Sequence, residues 1–281
     1  MIAICPNPYR DIDYRVTLEI RRRLEEAGFK SCVCPLFAEE EDIALPGNVR
    51  IGKLSDVASG CEAVIVVGGD GTVLDAARQL HNIPVPILGV NLGTKGFMTS
   101  LEPHELDHLI PALSGGMKLS RRMKLDVSVL REGKCILQDS ALNDAVLHGY
   151  GDCIKMSVFC NGDRMSFFSG DGIILSTPTG STGYSLSAGG PLVEPDAENI
   201  IVSPICPHVM GLRPFVLGPD REVSVRMEKP YGRKAYLSLD GNSVLDLENE
   251  DIVLVRRSKN YTLMAEVGLR SFYEITHNKL R

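Results

Sequence analysis

The 281-residue chain has no apolar run approaching the roughly 18 residues that a membrane-spanning helix needs, so no membrane association is expected. Its only apolar stretch near a terminus, residues 1–5 (MIAIC), is too short for a secretory signal and has no basic lead-in. Positive charge is in short supply: 30 Lys and Arg face 36 Asp and Glu, a net charge of −6. Nucleic-acid binding, which wants a basic face, is therefore not expected. None of the eight cysteines forms a CxxC pair, and most lie in apolar, strand-like runs. They read as reduced, buried thiols of a cytoplasmic protein. There is no internal repeat and no low-complexity linker. Two nucleotide motifs are also missing. The G-x-G-x-x-G fingerprint would need glycine where Leu74 stands, and the pairs Gly149/Gly151 and Gly170/Gly172 lack their third glycine, which disfavours a hydride-transferring dehydrogenase. The G-x-x-x-x-G-K-[ST] phosphate loop is absent too.

What is present is an ordinary globular balance, 44% hydrophobic and 23% charged, in a chain long enough for one large or two ordinary domains. Glycine is in excess. Average usage of about 7% would give roughly 20; there are 27, and twelve of them fall in residues 68–96 and 170–190. Glycine gathered this way marks backbone that turns sharply or approaches a ligand closely.

The first hundred residues alternate between strand and helix patterns. Residues 1–5, 31–37, 61–67 and 85–90 read as strands, the last two apolar enough to be buried on both faces of a parallel sheet. Residues 13–27, 72–80 and 103–113 read as helices, with Gly28 and Gly115-Gly116 as stops. Beyond about residue 120 come short runs at 124–130, 135–138, 141–147, 155–160, 165–168, 222–227, 234–239 and 252–256, parted by turn signals such as Asn161-Gly162. The expected architecture is an α/β N-terminal domain with a Rossmann-like parallel sheet, residues 1–118, and a β-rich, sandwich-like C-terminal domain, residues 119–261. A tail, 262–281, is expected to pack back on the N-terminal domain.

Residues 64–72 (VIVVGGDGT) make a buried strand, a tight glycine turn and a helix start. Outward-pointing N–H groups at such a turn, contributed by Gly68, Gly69, Gly71 and Thr72, suit a phosphate. A plain strand–turn–helix would use Asp-Gly as well. Asp70 is the informative residue, because a carboxylate beside phosphate is repelled unless it serves Mg²⁺ or takes a proton from a hydroxyl nucleophile. The segment resembles stretches in NAD kinases, diacylglycerol and sphingosine kinases, and phosphofructokinases, all of which phosphorylate a hydroxyl. Residues 170–193 (GDGIILSTPTGSTGYSLSAGGPLV) hold a short strand and a hydroxyl-rich bend, with 181–183 near a helix N-terminus.

That second run resembles the signature of NAD kinases and separates them from the other GGDGT families. Residues 91–98 (NLGTKGFM), 141–148 (ALNDAVLH), 205–217 (ICPHVMGLRPFVL) and 239–242 (LDGN) resemble the same family in the same order, so the likeness spans about residues 64–242. It implies transfer of the γ-phosphoryl group of ATP, carried with Mg²⁺ or another divalent ion, to the 2′-hydroxyl of the adenosine ribose of NAD. It also implies a homodimer or homotetramer. By the same resemblance Asp70 is the catalytic carboxylate and contacts NAD with Gly71. Asn143, Asp144, Lys155, Asp171, Thr182, Gly183, Tyr184, Ser185, Leu186, Ser187 and Asn242 line the NAD site, with no protein-only metal site. A free aspartate titrates near about 3.9, so Asp70 is expected to orient the hydroxyl and take its proton late. Ser169 departs from the family, which often carries a basic residue there. His104 and His108 match the zinc pattern H-E-x-x-H, but Pro103, Pro111 and the lack of a third ligand favour a solvated face.

Overall fold

The structure is a computed structural model that describes residues 1–37, 45–94, 96–228 and 234–280; Lys95 of the 91–98 motif and Arg281 of the tail lie outside the described residues. Met1–Arg121 together with Thr262–Arg281 form one compact unit, and Arg122–Tyr261 form the other.

The first unit alternates as the pattern of its sequence requires. Its elements are β1 (Ile2–Pro6), α1 (Arg15–Glu26), β2 (Ser31–Val33), α2 (Leu54–Val57), β3 (Ala63–Gly68), α3 (Asp70–Leu80) and β4 (Ile87–Asn91). The four strands are parallel in the order β2-β1-β3-β4. β1, β3 and β4 are buried along their whole length, which explains their unbroken apolar sequence. α1 turns Thr17, Ile20 and Leu24 inward, and the buried Asp11 carboxylate accepts its Val16 and Thr17 N–H groups. These bonds satisfy two first-turn donors that no carbonyl within the helix can reach.

Two expectations shift here. The strand read at 31–37 stops at Val33, and the helix read at 103–113 is a 3-10 turn (Pro103–His108), the single turn α4 (Leu109–Pro111) and a wide turn (Ala112–Gly116). Prolines at 103 and 111 remove backbone donors, and Gly115 takes a φ of 110°, so a continuous α-helix is not available.

The second unit is antiparallel. Its strands are β5 (Lys118–Arg131, beginning in the first unit), β6 (Lys134–Ala141), β7 (Asp144–Gly149), β8 (Ile154–Cys160), β9 (Asp163–Gly170) and β10 (Gly172–Ser176), then the short helix α5 (Tyr184–Ser187). β11 (Ile200–Ile205), β12 (Phe215–Leu217), β13 (Val223–Glu228), β14 (Ala235–Leu239), β15 (Asn242–Leu247) and β16 (Ile252–Glu266) follow. One sheet runs β12-β11-β10-β7-β14-β15, and β16, β13, β8 and β9 are consecutive in another. Val127, Leu147, Met156, Phe168, Leu175, Val225, Leu237 and Val253, drawn from both sheets, share one buried core, as in a sandwich.

The run at 252–256 proves to be the start of a 15-residue strand, because inward alternation continues through Thr262 and Met264. Its early part pairs with β13, and Met264 pairs with Ile87 of β4 in the first unit. The tail ends in α6 (Phe272–Lys279), capped by the Ser271 hydroxyl and the returning Glu274 carboxylate.

The run at 141–147 is two strands broken at Leu142 and Asn143. The cysteines are all free, and Cys5, Cys32 and Cys34 are buried. Cys135 and Cys206 are exposed, so burial does not hold for the whole set.

Candidate active site

The candidate residues fall into two groups, one in each unit. The first lies where β1 and β3 end side by side. In the strand order β2-β1-β3 the chain leaves β1 to one side and returns on the other, and open α/β sheets bind ligands at such a switch point. Gly68 closes β3. A Cβ there would lie 2.3 Å from Thr72 Oγ1, so only glycine lets Thr72 fold back. Thr72 Oγ1 then accepts the Gly69 N–H at 3.3 Å and the Asn7 amide at 3.2 Å. A Cβ on Gly71, by contrast, would meet nothing within 4 Å. The fold leaves space beside that residue at the N-terminal turn of α3, where N–H groups favour an anion.

Asp70 opens α3. Its carboxylate accepts the N–H groups of Phe97 at 3.1 Å and Met98 at 2.9 Å. Both come from the 91–98 segment, which is tight in its own right: Gly93 N–H binds Asn91 Oδ1 at 2.9 Å, and Gly96 sits at a φ of 64° with no room for a Cβ against Asn91. Asp70 is thus oriented by backbone, and it stays partly exposed.

The second group surrounds the break between β6 and β7. The Asp240 carboxylate accepts three successive N–H groups there, from Leu142 (2.8 Å), Asn143 (2.7 Å) and Asp144 (3.1 Å). The Asn143 carbonyl receives Thr177 N–H at 2.8 Å and Ser176 Oγ at 3.1 Å, and Thr177 Oγ1 donates to Leu142 O at 2.6 Å. Gly180 packs on the same carbonyl, where a Cβ would come within 2.3 Å. Two atoms are left over. Asn143 Oδ1 and Thr179 Oγ1 are buried with no hydrogen-bond partner. An unmet polar group costs about 1–3 kcal/mol, so two of them beside one bend favour a polar ligand that supplies what they lack.

Asp144 is 6% exposed, and burial together with the nearby Asp240 charge pushes its carboxyl up to about 7. Near neutral pH it therefore both donates and accepts hydrogen bonds, which suits a sugar hydroxyl. Tyr184 is raised by partial burial first and then by the negative charge of Tyr236, Cys206, Asp171 and Asp144 in its surroundings. Asp171 follows β9, its N–H bonded to Ile205 O at 3.0 Å.

The other candidates are placed less uniformly. Thr182 returns its hydroxyl to Thr179 O, and Gly183 precedes α5, with Leu186 half-buried and Ser187 exposed. Ser185 is fully buried and bonded to Ser203 at 2.9 Å. Asn242 is exposed on β15. Lys155, exposed on β8, stands directly opposite Ser169 on β9, so a cation lies one strand away from the position that lacks one.

In the 3-10 turn of Pro103–His108, residues four apart sit about 120° apart rather than on one face. His104 and His108 are exposed, and Glu105 is engaged by Arg270 and by the Glu102 N–H. Among the described residues no group of three or more His, Cys, Asp or Glu is arranged to hold a metal ion.

Asn7, the Phe97 and Met98 amides, Thr179 and Asp240 were not singled out from sequence. Thr179 lies in the hydroxyl-rich bend, Phe97 and Met98 in the 91–98 motif and Asp240 in the 239–242 motif; for Asn7 the signal is three-dimensional alone.

Comparison with known proteins gives the family. Residues 2–117 match the model of the ATP-NAD kinase N-terminal domain, and residues 142–267 match that of the ATP-NAD kinase C-terminal domain. The NAD kinase of Acetivibrio thermocellus is 32% identical over 99% of this chain and 96% of its own. Among solved structures, yeast NADH kinase complexed with NADH has a TM-score of 0.86 at 24% identity, covering 99% of this chain and 86% of that one. An NAD kinase from Archaeoglobus fulgidus in complex with ATP has a TM-score of 0.73 at 24% identity, covering 98% of each. Those two likenesses are of fold. With two family models spanning most of its length and a relative matching it nearly end to end, the chain belongs to the ATP-NAD kinase family.

Proposed function

We propose that the chain is an NAD kinase that moves the γ-phosphoryl group of ATP to the 2′-hydroxyl of the adenosine ribose of NAD, giving NADP and ADP. The observation that carries the chemistry is the Asp70 carboxylate, fixed by the Phe97 and Met98 N–H groups beside the glycine turn. As the new ribose O–P bond forms and the bond from the γ-phosphorus to the bridging oxygen of ADP breaks, the hydroxyl proton passes to Asp70. In a loose transition state that transfer comes late. The turn takes donor phosphate at the Gly71 N–H that opens α3; the Gly69 and Thr72 N–H groups, expected from sequence to point outward, are bonded within the turn to Thr72 Oγ1 and Gly69 O. Asn143, Asp144 and Thr179 hold the acceptor's adenosine end; Asp171, Tyr184 and the remaining candidates line the NAD site beside them.

A divalent ion would arrive on the triphosphate, held by phosphate oxygens. Such an ion, Mg²⁺ by preference, would supply positive charge against the donor's phosphates. The eight free thiols support a cytoplasmic setting, and no described helix is long and apolar enough to cross a membrane.

A coupled assay with an NADP-specific dehydrogenase tests the reading, run with ATP and polyphosphate as donors and with NAD and NADH as acceptors. No NADP from NAD with any donor would overturn it. Asp70→Asn should lower kcat by about 10²–10⁴-fold, the range for a general base, while calorimetric NAD binding stays within about twofold. Full activity in that variant would remove Asp70 from the chemistry.

A further inference from the structure

We infer that Asp240 is a positioning residue for the acceptor, holding Asn143 and Asp144 in place through their backbone. This rests on the reading of the chain as an NAD kinase. Asp240 and Gly241 are the two-residue turn between β14 and β15, with φ of 49° and 81°, the conformation for which Asp-Gly is chosen in tight hairpins. A turn residue of that kind normally points its side chain at solvent. Here the residue is half-buried and its carboxylate spends both oxygens on the 142–144 bend. Oδ1 takes Asn143 and Asp144, Oδ2 takes Leu142, and the Asp240 N–H returns to Asp144 O at 3.0 Å.

Those three N–H groups would otherwise have no ladder partner, because β6 has ended and β7 has only begun at Asp144. Lys124 of β5, 3% exposed, lies close enough to be electrostatically coupled to Asp240 and supplies positive charge on the buried side. An acceptor-only group facing three donors and a cation makes the bend rigid. The orphan Asn143 Oδ1 is thereby held ready for its ligand.

The test uses Asp240→Asn in the full-length enzyme. Asn-Gly is as good a hairpin turn as Asp-Gly, so the fold is retained, but one oxygen becomes an NH₂ that opposes an N–H. We expect KM for NAD to rise about tenfold or more while KM for ATP changes by less than about twofold. Hydrogen exchange at the amides of residues 142, 143 and 144 should speed up while exchange in the β3 and β4 core is unchanged. Lys124→Met should shift NAD affinity in the same direction. If Asp240→Asn folds with KM for NAD within about twofold of the parent, or if the three amides stay protected, the residue is only a turn former and the inference fails. Hydrogen exchange and calorimetric NAD binding need no turnover, so they judge this role even if no kinase activity is found.

Discussion

Asp144 is a carboxyl that the fold holds in an unfavourable place. Its titration is raised from about 3.8 to about 7 by burial and by the neighbouring Asp240 charge. A raised acid stabilises the folded state fully only below its ordinary range, and that contribution is lost as pH climbs through the folded value. Ligand-free protein should therefore lose stability from this site between about pH 4 and pH 7 and lose no more above it. Asp144→Asn, which cannot ionise, should gain relative to the parent by on the order of 2–3 kcal/mol between about pH 5 and pH 8. Urea midpoints at the two pH values measure this, and a gap that stays constant would show that Asp144 does not titrate there. The same variant should bind NAD more weakly. A site that is more stable when damaged is what a binding group held for function looks like. Asp70 was legible in sequence because the residues that expose it, GGDGT, are its immediate neighbours. Asp240 was not: its partners at 142, 143 and 144 lie 98, 97 and 96 residues away, and no spacing rule reaches that far.

At the level of the element, the strand–turn–helix from β3 to α3 separates two uses of glycine. Gly68 is needed by the protein itself, since Thr72 occupies the place of its missing side chain. Gly71 has open space around it. Gly68→Ala should cost about 1–3 kcal/mol of stability through overpacking. Gly71→Ala, a helix-favouring change, should leave Tm unchanged or slightly raised while KM for ATP increases about tenfold. A thermal melt and the coupled assay on the pair decide it; equal ATP affinity in Gly71→Ala and the parent would show that donor phosphate does not pass that turn. In the second window the glycines serve packing as well: those at 172, 180 and 190 let backbone lie on backbone or hydroxyl at distances no Cβ allows. The all-apolar strands β3 and β4 were readable because burial on both faces leaves an unbroken run. β16 was not read whole, because Arg256, Arg257 and Lys259 interrupt its middle while the inward alternation carries on past them.

For the whole molecule, assembly is the property on which the single chain bears most directly. β12 is the edge of its sheet, and Phe215 and Val216 are 40% and 50% exposed; Met210, just before it, is fully exposed. An apolar sheet edge left bare invites another chain. We expect a homodimer or homotetramer that uses this edge, so that Met210→Glu with Val216→Lys shifts the mass found by light scattering toward one chain. A parent that is already monomeric would sink the idea. The change from α/β to all-antiparallel texture near residue 120 was legible from strand spacing alone. The last twenty residues, expected from sequence to pack back on the N-terminal domain, group with the first hundred and twenty-one. Their grouping has a consequence for synthesis. A ribosome releases Met1–Arg121 long before Thr262–Arg281. The unit begun before Arg122–Tyr261 is thus completed only after that stretch has emerged, and Ser100 waits as long for its Ala265 carbonyl.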